Sequence, residues 1–231
     1  MNPALFPLLG GFLAWFTLYL LGLRKFKGAE FILGVFVFFF AMLLQGLIQQ
    51  GAFLLAGIRS NRDIIERGLI LVASLWVGLS AGFIQEGVKF ALVRDKSKRQ
   101  GAFVGLGFGI TEVLAVVVSF AIISFKGLTL DVPFIMGMLT LAERYLAVLF
   151  HVATTILLAG ASLRTFLTLA GIHAVVDSLA AYYQLARLVD PAKSVKVLIL
   201  SEAVLGLVVL VLLVYALPQA LKEEEKEEVI W

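Results

Sequence analysis

His151 and His173 are the only two histidines in the chain, and both stand in long apolar stretches among acids and bases. Glu86 and Lys89 are i,i+3 and share a helical face, with Gln85 one turn before Lys89. His173 and Asp177 are i,i+4, so Asp177 can hold one imidazole nitrogen and leave the other for chemistry or a metal. Arg144 and His151 lie two turns apart on one face, and Glu112 follows the glycine-rich run Gly101 to Gly109. Gly105 and Gly109 have the spacing that lets a second helix approach closely. Carboxylates and imidazoles of this kind suit the activation of water. A carboxylate takes its proton, and an imidazole donates to the oxyanion or the leaving group. Two histidines and a glutamate (His151, His173, Glu112) also match the three-ligand, open-position pattern of catalytic zinc. The sequence leaves metal-bound and metal-free routes both open.

The elements that position these residues follow from composition. The 231 residues are 61% hydrophobic and only 15% charged, and the mean hydropathy is +1.02. Soluble domains are nearer 45–50% apolar and about 25% charged. The solvent for most of this chain is therefore lipid, which excludes a cytosolic enzyme and a nucleic-acid reader. There is no cysteine, hence no disulfide, thiolate nucleophile or thiolate metal site. The expected fold is all-α, a polytopic membrane bundle of about seven transmembrane helices, at roughly 3–23, 30–56, 68–93, 101–124, 133–160, 163–185 and 196–217. We read 1–217 as a single transmembrane domain with its motif core at 80–180, and 218–231 as an acidic C-terminal tail, a solvated helix end.

Loop charges orient the bundle. Arg24, Lys25, Lys27, Arg94, Lys96, Lys98, Arg99, Arg164, Lys222 and Lys226 fall on one side. Arg59, Arg62, Arg67, Lys126, Arg187, Lys193 and Lys196 fall on the other. The bias places the N-terminus outside and the C-terminus in the cytoplasm. The setting read from the chain is an integral, multi-pass protein of a prokaryotic plasma membrane.

A charge at the bilayer centre costs at least about 2.5–3.5 kcal/mol and marks a functional or pairing role. Counting 1.5 Å per residue puts Glu86 about 12 Å, Glu112 and His151 about 19 Å and His173 about 14 Å from the cytoplasmic ends of their helices. The four are expected in one slab. Glu143 and Arg144 come out about 30 Å from that end, and are expected to form a separate interhelical lock or gate. Gly78-Leu79-Ser80-Ala81-Gly82 matches G-x-S-x-G but sits mid-helix, where small-residue packing explains it. Gln45, Gln49 and Gln50 could line a cavity, and read better as interhelical hydrogen bonders.

In order, these residues resemble the motifs of PrsW-type and YhfC-type intramembrane proteases. Gln85-Glu86-Gly87-Val88-Lys89 is similar to E-E-x-x-K, Phe108 to Glu112 to F-x-x-x-E, and His173 to Asp177 to H-x-x-x-D, with a lone His151 between. Their superfamily includes the type II CAAX prenyl proteases and the scaffold subunit of γ-secretase. Glu143-Arg144 ahead of His151 looks most like YhfC. The resemblance implies an intramembrane peptidase, glutamate- or metal-dependent, cutting a membrane-embedded or lipidated peptide or protein. The implied catalytic residues are Glu86, Glu112, His151 and His173. Lys89 would orient Glu86, and Asp177 would orient His173. Gln85 stands where the family has its first glutamate, and an amide does not titrate. The base is then Glu86 or Glu112, or the chain is a non-catalytic scaffold or partner-binding homologue. The same acids and bases could also serve an ion- or proton-coupled carrier.

Overall fold

The computed structural model describes residues 3–126 and 132–229, so the last two residues of the expected tail lie outside it. Among the described residues every regular element is a helix: α1 (Leu5–Leu20), α2 (Gly28–Leu55), α3 (Asn61–Glu66), α4 (Ile70–Val93), α5 (Lys98–Phe125), α6 (Phe134–Leu158), α7 (Leu163–Val189) and α8 (Pro191–Val229). Six of them, all but α1 and α3, are long and apolar enough to cross a membrane. The chain is a multi-pass helical membrane protein.

Each of the seven expected spans falls on a helix. α1 is shorter than expected, with 16 residues, because the chain turns at Gly22 with a φ of 117°. Only glycine adopts that conformation without strain. α8 is longer than expected and runs through Pro218 into the acidic tail. Proline removes one helical N–H bond and disturbs the preceding turn. The acceptor that Pro218 cannot serve is the Val214 carbonyl, and the Gln219 side-chain amide donates to its neighbour, the Tyr215 carbonyl, at 2.9 Å.

The described chain divides into two compact units. One comprises the described residues within 1–38, 93–160 and 208–231, the other those within 39–92 and 161–207.

In the first unit, α5 is close-packed on two faces. Gly101 faces Thr155 and Ala159, Gly105 faces His151 and Val152, and Gly109 faces Val148, all on α6 or its C-terminal cap. Gly107, on the opposite face, lies against Phe31 and Gly34 of α2. Small residues at these four places bring backbones together, which dispersion rewards where lipid offers no hydrophobic contrast. Phe108 is fully buried between the two contacts. Its ring meets Phe38 edge-on at 5.3 Å and lies 4.5 Å from the His151 ring.

In the second unit, α4 and α7 run antiparallel. Gly78 faces Ala174 and Ser178, Gly82 faces Ala170 and Ala174, and Gly87 faces Phe166. The G-x-S-x-G match is thus part of a helix seam. Beyond the seam, α2 ends at Gly57 (φ 68°), and Arg67 donates to the Ala56 and Gly57 carbonyls at 3.1 and 2.9 Å.

The short helix α3 follows, set by a capping box between Ser60 and Asp63. The Arg59 backbone amide donates to Asp63 and holds its carboxyl below the ordinary value, helped by the Ser60 hydroxyl and amide. A depressed carboxyl contributes stability above its unfolded pKa and loses it as pH falls through the folded one. Hydrogen-exchange protection of the α3 amides is therefore expected to be flat above about pH 4 and to drop below it. In Asp63→Asn the protection should be lower and lack that acid step. An acid step that survives in Asp63→Asn would show that another group causes it.

Candidate functional site

Each unit brings one glutamate and one histidine together. In the second unit the antiparallel α4–α7 seam sets His173 opposite Glu86. The His173 Nδ1 lies 2.7 Å from Glu86 Oε1, and Lys89 Nζ donates to the same oxygen at 2.5 Å. The side chains of Glu86 and Lys89 are wholly buried. Asp177 Oδ2 lies 3.5 Å from His173 Nε2. The spacing-based pairs Glu86–Lys89 and His173–Asp177 therefore both form. The second imidazole nitrogen, expected to be left for other chemistry, is instead engaged by Glu86. Spacing along α7 cannot register a carboxylate arriving from α4. The four side chains carry acids and bases in equal number, which offsets the cost of burying them.

In the first unit the glycine-lined approach of α5 to α6 carries Glu112 between two α6 residues. Arg144 Nη1 donates to Glu112 Oε1 at 2.7 Å, and His151 Nε2 lies 2.7 Å from Glu112 Oε2. The second arm of the guanidinium, Nη2, reaches Glu143 Oε1 at 2.7 Å. Thr155 bonds the His151 carbonyl at 2.6 Å, fixing the backbone that carries the ring. Some 28% of the Glu112 side chain is exposed, against 4% of His151.

This corrects the expected separation of Glu143–Arg144 from the cluster. Arg144 pairs directly with Glu112. The depth count measured Cα positions along each helix from its own end. It ignored both the guanidinium's reach and the width of a carboxylate that accepts from both sides. The expected lock between helices does exist, and Glu112 is its other half.

Of the three α2 glutamines expected to bond across helices, Gln45 and Gln49 bond to α4. Gln85 Nε2 donates to Gln45 Oε1 at 2.9 Å, and Gln45 Nε2 donates to Gln49 Oε1 at 3.3 Å. Ser80 Oγ also donates to Gln49 Oε1, at 3.4 Å. Gln85 is thus an amide tie between α4 and α2. Gln49 and Gln50 additionally line a cavity of about 390 Å³.

Arg99, read from sequence as a loop cation, is 1% exposed. Its guanidinium donates to the Lys25 carbonyl at 2.9 Å, and its backbone amide donates to Glu223 at 2.9 Å. Its place among other loop cations gave no signal of this.

Among the described residues no group of three or more His, Asp or Glu side chains is arranged to hold a metal ion. The chemistry that can be built from the geometry is that of the two Glu–His pairs themselves. Each pair offers a proton acceptor and a proton donor within hydrogen-bond reach, inside membrane-spanning helices. No family model, no curated protein and no solved structure matches this chain.

Proposed function

We propose that this chain is an intramembrane peptidase of the PrsW/YhfC type, hydrolysing a peptide bond in a membrane-embedded or lipidated substrate. One observation carries the reading. Two glutamates inside apolar helices are each bonded at 2.7 Å to a histidine from another helix, and each is neutralised by a basic side chain. Ionisable groups at such positions are costly, and their default explanation is function.

In the proposed reaction a glutamate takes a proton from water as the water oxygen attacks the peptide carbonyl. The partner histidine donates a hydrogen bond to the oxyanion. Collapse of the tetrahedral intermediate breaks the C–N bond, and the proton held by the glutamate passes to the leaving nitrogen. Glu112 is the more accessible carboxylate, and Arg144 leaves its Oε2 side to His151. Glu86 has the same partners in kind, but in a fully buried setting. Within the same proposal, the loop-charge bias puts the N-terminus outside and the C-terminus in the cytoplasm of a prokaryotic cell.

The test is cleavage of a reporter transmembrane peptide by the protein in liposomes. Glu86→Ala, Glu112→Ala, His151→Ala and His173→Ala are each expected to lower the rate by roughly a hundredfold or more, the contribution of a positioned acid or base. Undiminished cleavage in all four variants would overturn the proposal. A second reading, a non-catalytic scaffold, draws support from Gln85, whose amide is used to tie α4 to α2. It expects a stoichiometric complex with a partner protein, and no cleavage by the wild-type chain.

A further inference from the structure

The cavity of about 390 Å³ in the second unit is lined by Gln49, Gln50, Asn61 and Gln184, with Arg59 as its charged residue. It opens among the C-terminal end of α2, the α3 segment and the C-terminal part of α7. Val77 of α4 and Ala181 of α7 also line it. Its size is that of a ligand pocket, and its lining is chemically selective. A carboxamide offers a donor and an acceptor side by side, as a peptide unit does. The Gln49 oxygen already accepts from Gln45 and Ser80, and a bare oxyanion would leave the carboxamide oxygens of Gln50, Asn61 and Gln184 unmatched. Among the described residues no acidic one lines the pocket, and the nearby Asp63 carboxylate is taken by the Arg59 and Ser60 backbone amides.

The pocket also lies at one end of the seam that holds Glu86 and His173. Val77 is about 13 Å along α4 from Glu86, and Ala181 is about 12 Å along α7 from His173. About four residues of extended chain cover that distance. The far wall is fixed in place, because Arg67 and the Ser60–Asp63 capping box hold the α2–α3 connection.

We propose that this pocket docks an extended peptide segment bearing a carboxylate. The carboxamides bond its backbone, and Arg59 takes the carboxylate, either a chain end or an acidic side chain. The inference rests on the peptidase reading and adds to it a class of substrate: a peptide that leaves the helical state at the membrane surface next to the α4–α7 seam.

The test is equilibrium binding of labelled, N-acetylated hexapeptides to the intact protein in nanodiscs. One peptide has a free C-terminal carboxylate, one an amidated end, and one an amidated end with an internal glutamate. Inorganic phosphate and anionic lipid vesicles serve as competitors. The carboxylate peptides should bind, and Gln50→Leu and Gln184→Leu should each weaken them by roughly tenfold. Arg59→Ala should reduce them to the affinity of the amidated peptide. These three side chains are exposed, so the variants are expected to fold, and a thermal midpoint checks that. The chain has no cysteine, so Ala181→Cys gives a second reading: bound peptide should slow its alkylation.

Binding unchanged by all three substitutions, no peptide binding, or displacement by phosphate or lipid would each overturn the proposal. Binding is read without cleavage. A chain that binds peptide but cuts nothing fails only as a peptidase, and one that cuts without this pocket fails only here.

Discussion

A Lys89→Met variant is expected to lose about 3–5 kcal/mol of stability, because it removes the ammonium that neutralises a buried carboxylate. Glu86 is wholly buried, and its Oε1 takes both the Lys89 ammonium and the His173 ring. Replacing Glu86 by leucine should cost a similar amount, since Lys89 would then be a buried cation that has lost its carboxylate. The double variant Glu86→Leu/Lys89→Met should recover most of the loss, because apolar replacement of both partners removes the desolvation penalty as well as the attraction. His173 keeps Asp177 at 3.5 Å in that variant. Hydrogen bonds between neutral groups in membrane bundles average well under 1 kcal/mol, but removing one of two paired full charges is a different case. Reversible unfolding in mixed detergent measures the cycle, and additive losses would show that the pair is not coupled. The same proteins separate packing from chemistry. If the pair works on substrate, the stability of the double variant returns while cleavage does not.

That distinction is one the sequence alone could not make. The helices were readable because lipid imposes a simple demand. A chain that leaves no backbone group unsatisfied in an apolar phase must be helical there, and uninterrupted apolar runs of about 20 residues announce it. The pairings along one helix were readable too, because i,i+3 and i,i+4 neighbours face each other by geometry. Glu86–Lys89 and His173–Asp177 formed as spacing predicts. What spacing does not carry is contact between helices. Nothing local to α5 says that Glu112 meets both Arg144 and His151, and nothing local to α7 says that Glu86 takes His173 Nδ1. α3 escaped notice because its signal is a capping box, Ser60 with Asp63, and not an apolar period. The end of α8 was placed too early because the expected span followed the apolar run only to Leu217, whereas the helix continues past Pro218 into the charged tail.

Glycines supplied the link between what could be read and what could not. Gly105 and Gly109 signalled a close helix contact, though not with which partner, and the partner turns out to be the stretch of α6 that carries His151. A side chain at 105 therefore tests fold and site at once. A Cβ built there would lie 2.5 Å from the His151 carbonyl oxygen and 2.8 Å from the Val152 Cα. These are backbone atoms and cannot swing aside as a side chain would, so α5 and α6 must part. Gly105→Ala is expected to cost about 1–3 kcal/mol, the usual range for overpacking, and Gly105→Val more. Because the nearest displaced atom belongs to His151 itself, its 2.7 Å contact with Glu112 should be lost, and cleavage should fall further than the drop in stability explains. Two controls bracket the effect. Gly107→Ala collides with the Phe31 carbonyl on the opposite face of α5, so it should destabilise the protein to a similar degree with less effect on the rate. Gly46→Ala in α2 meets nothing within 4 Å and should stabilise the helix by up to about 1 kcal/mol. Unfolding and cleavage measured on all four variants test the argument, and a Gly105→Val protein of wild-type stability and rate would refute it.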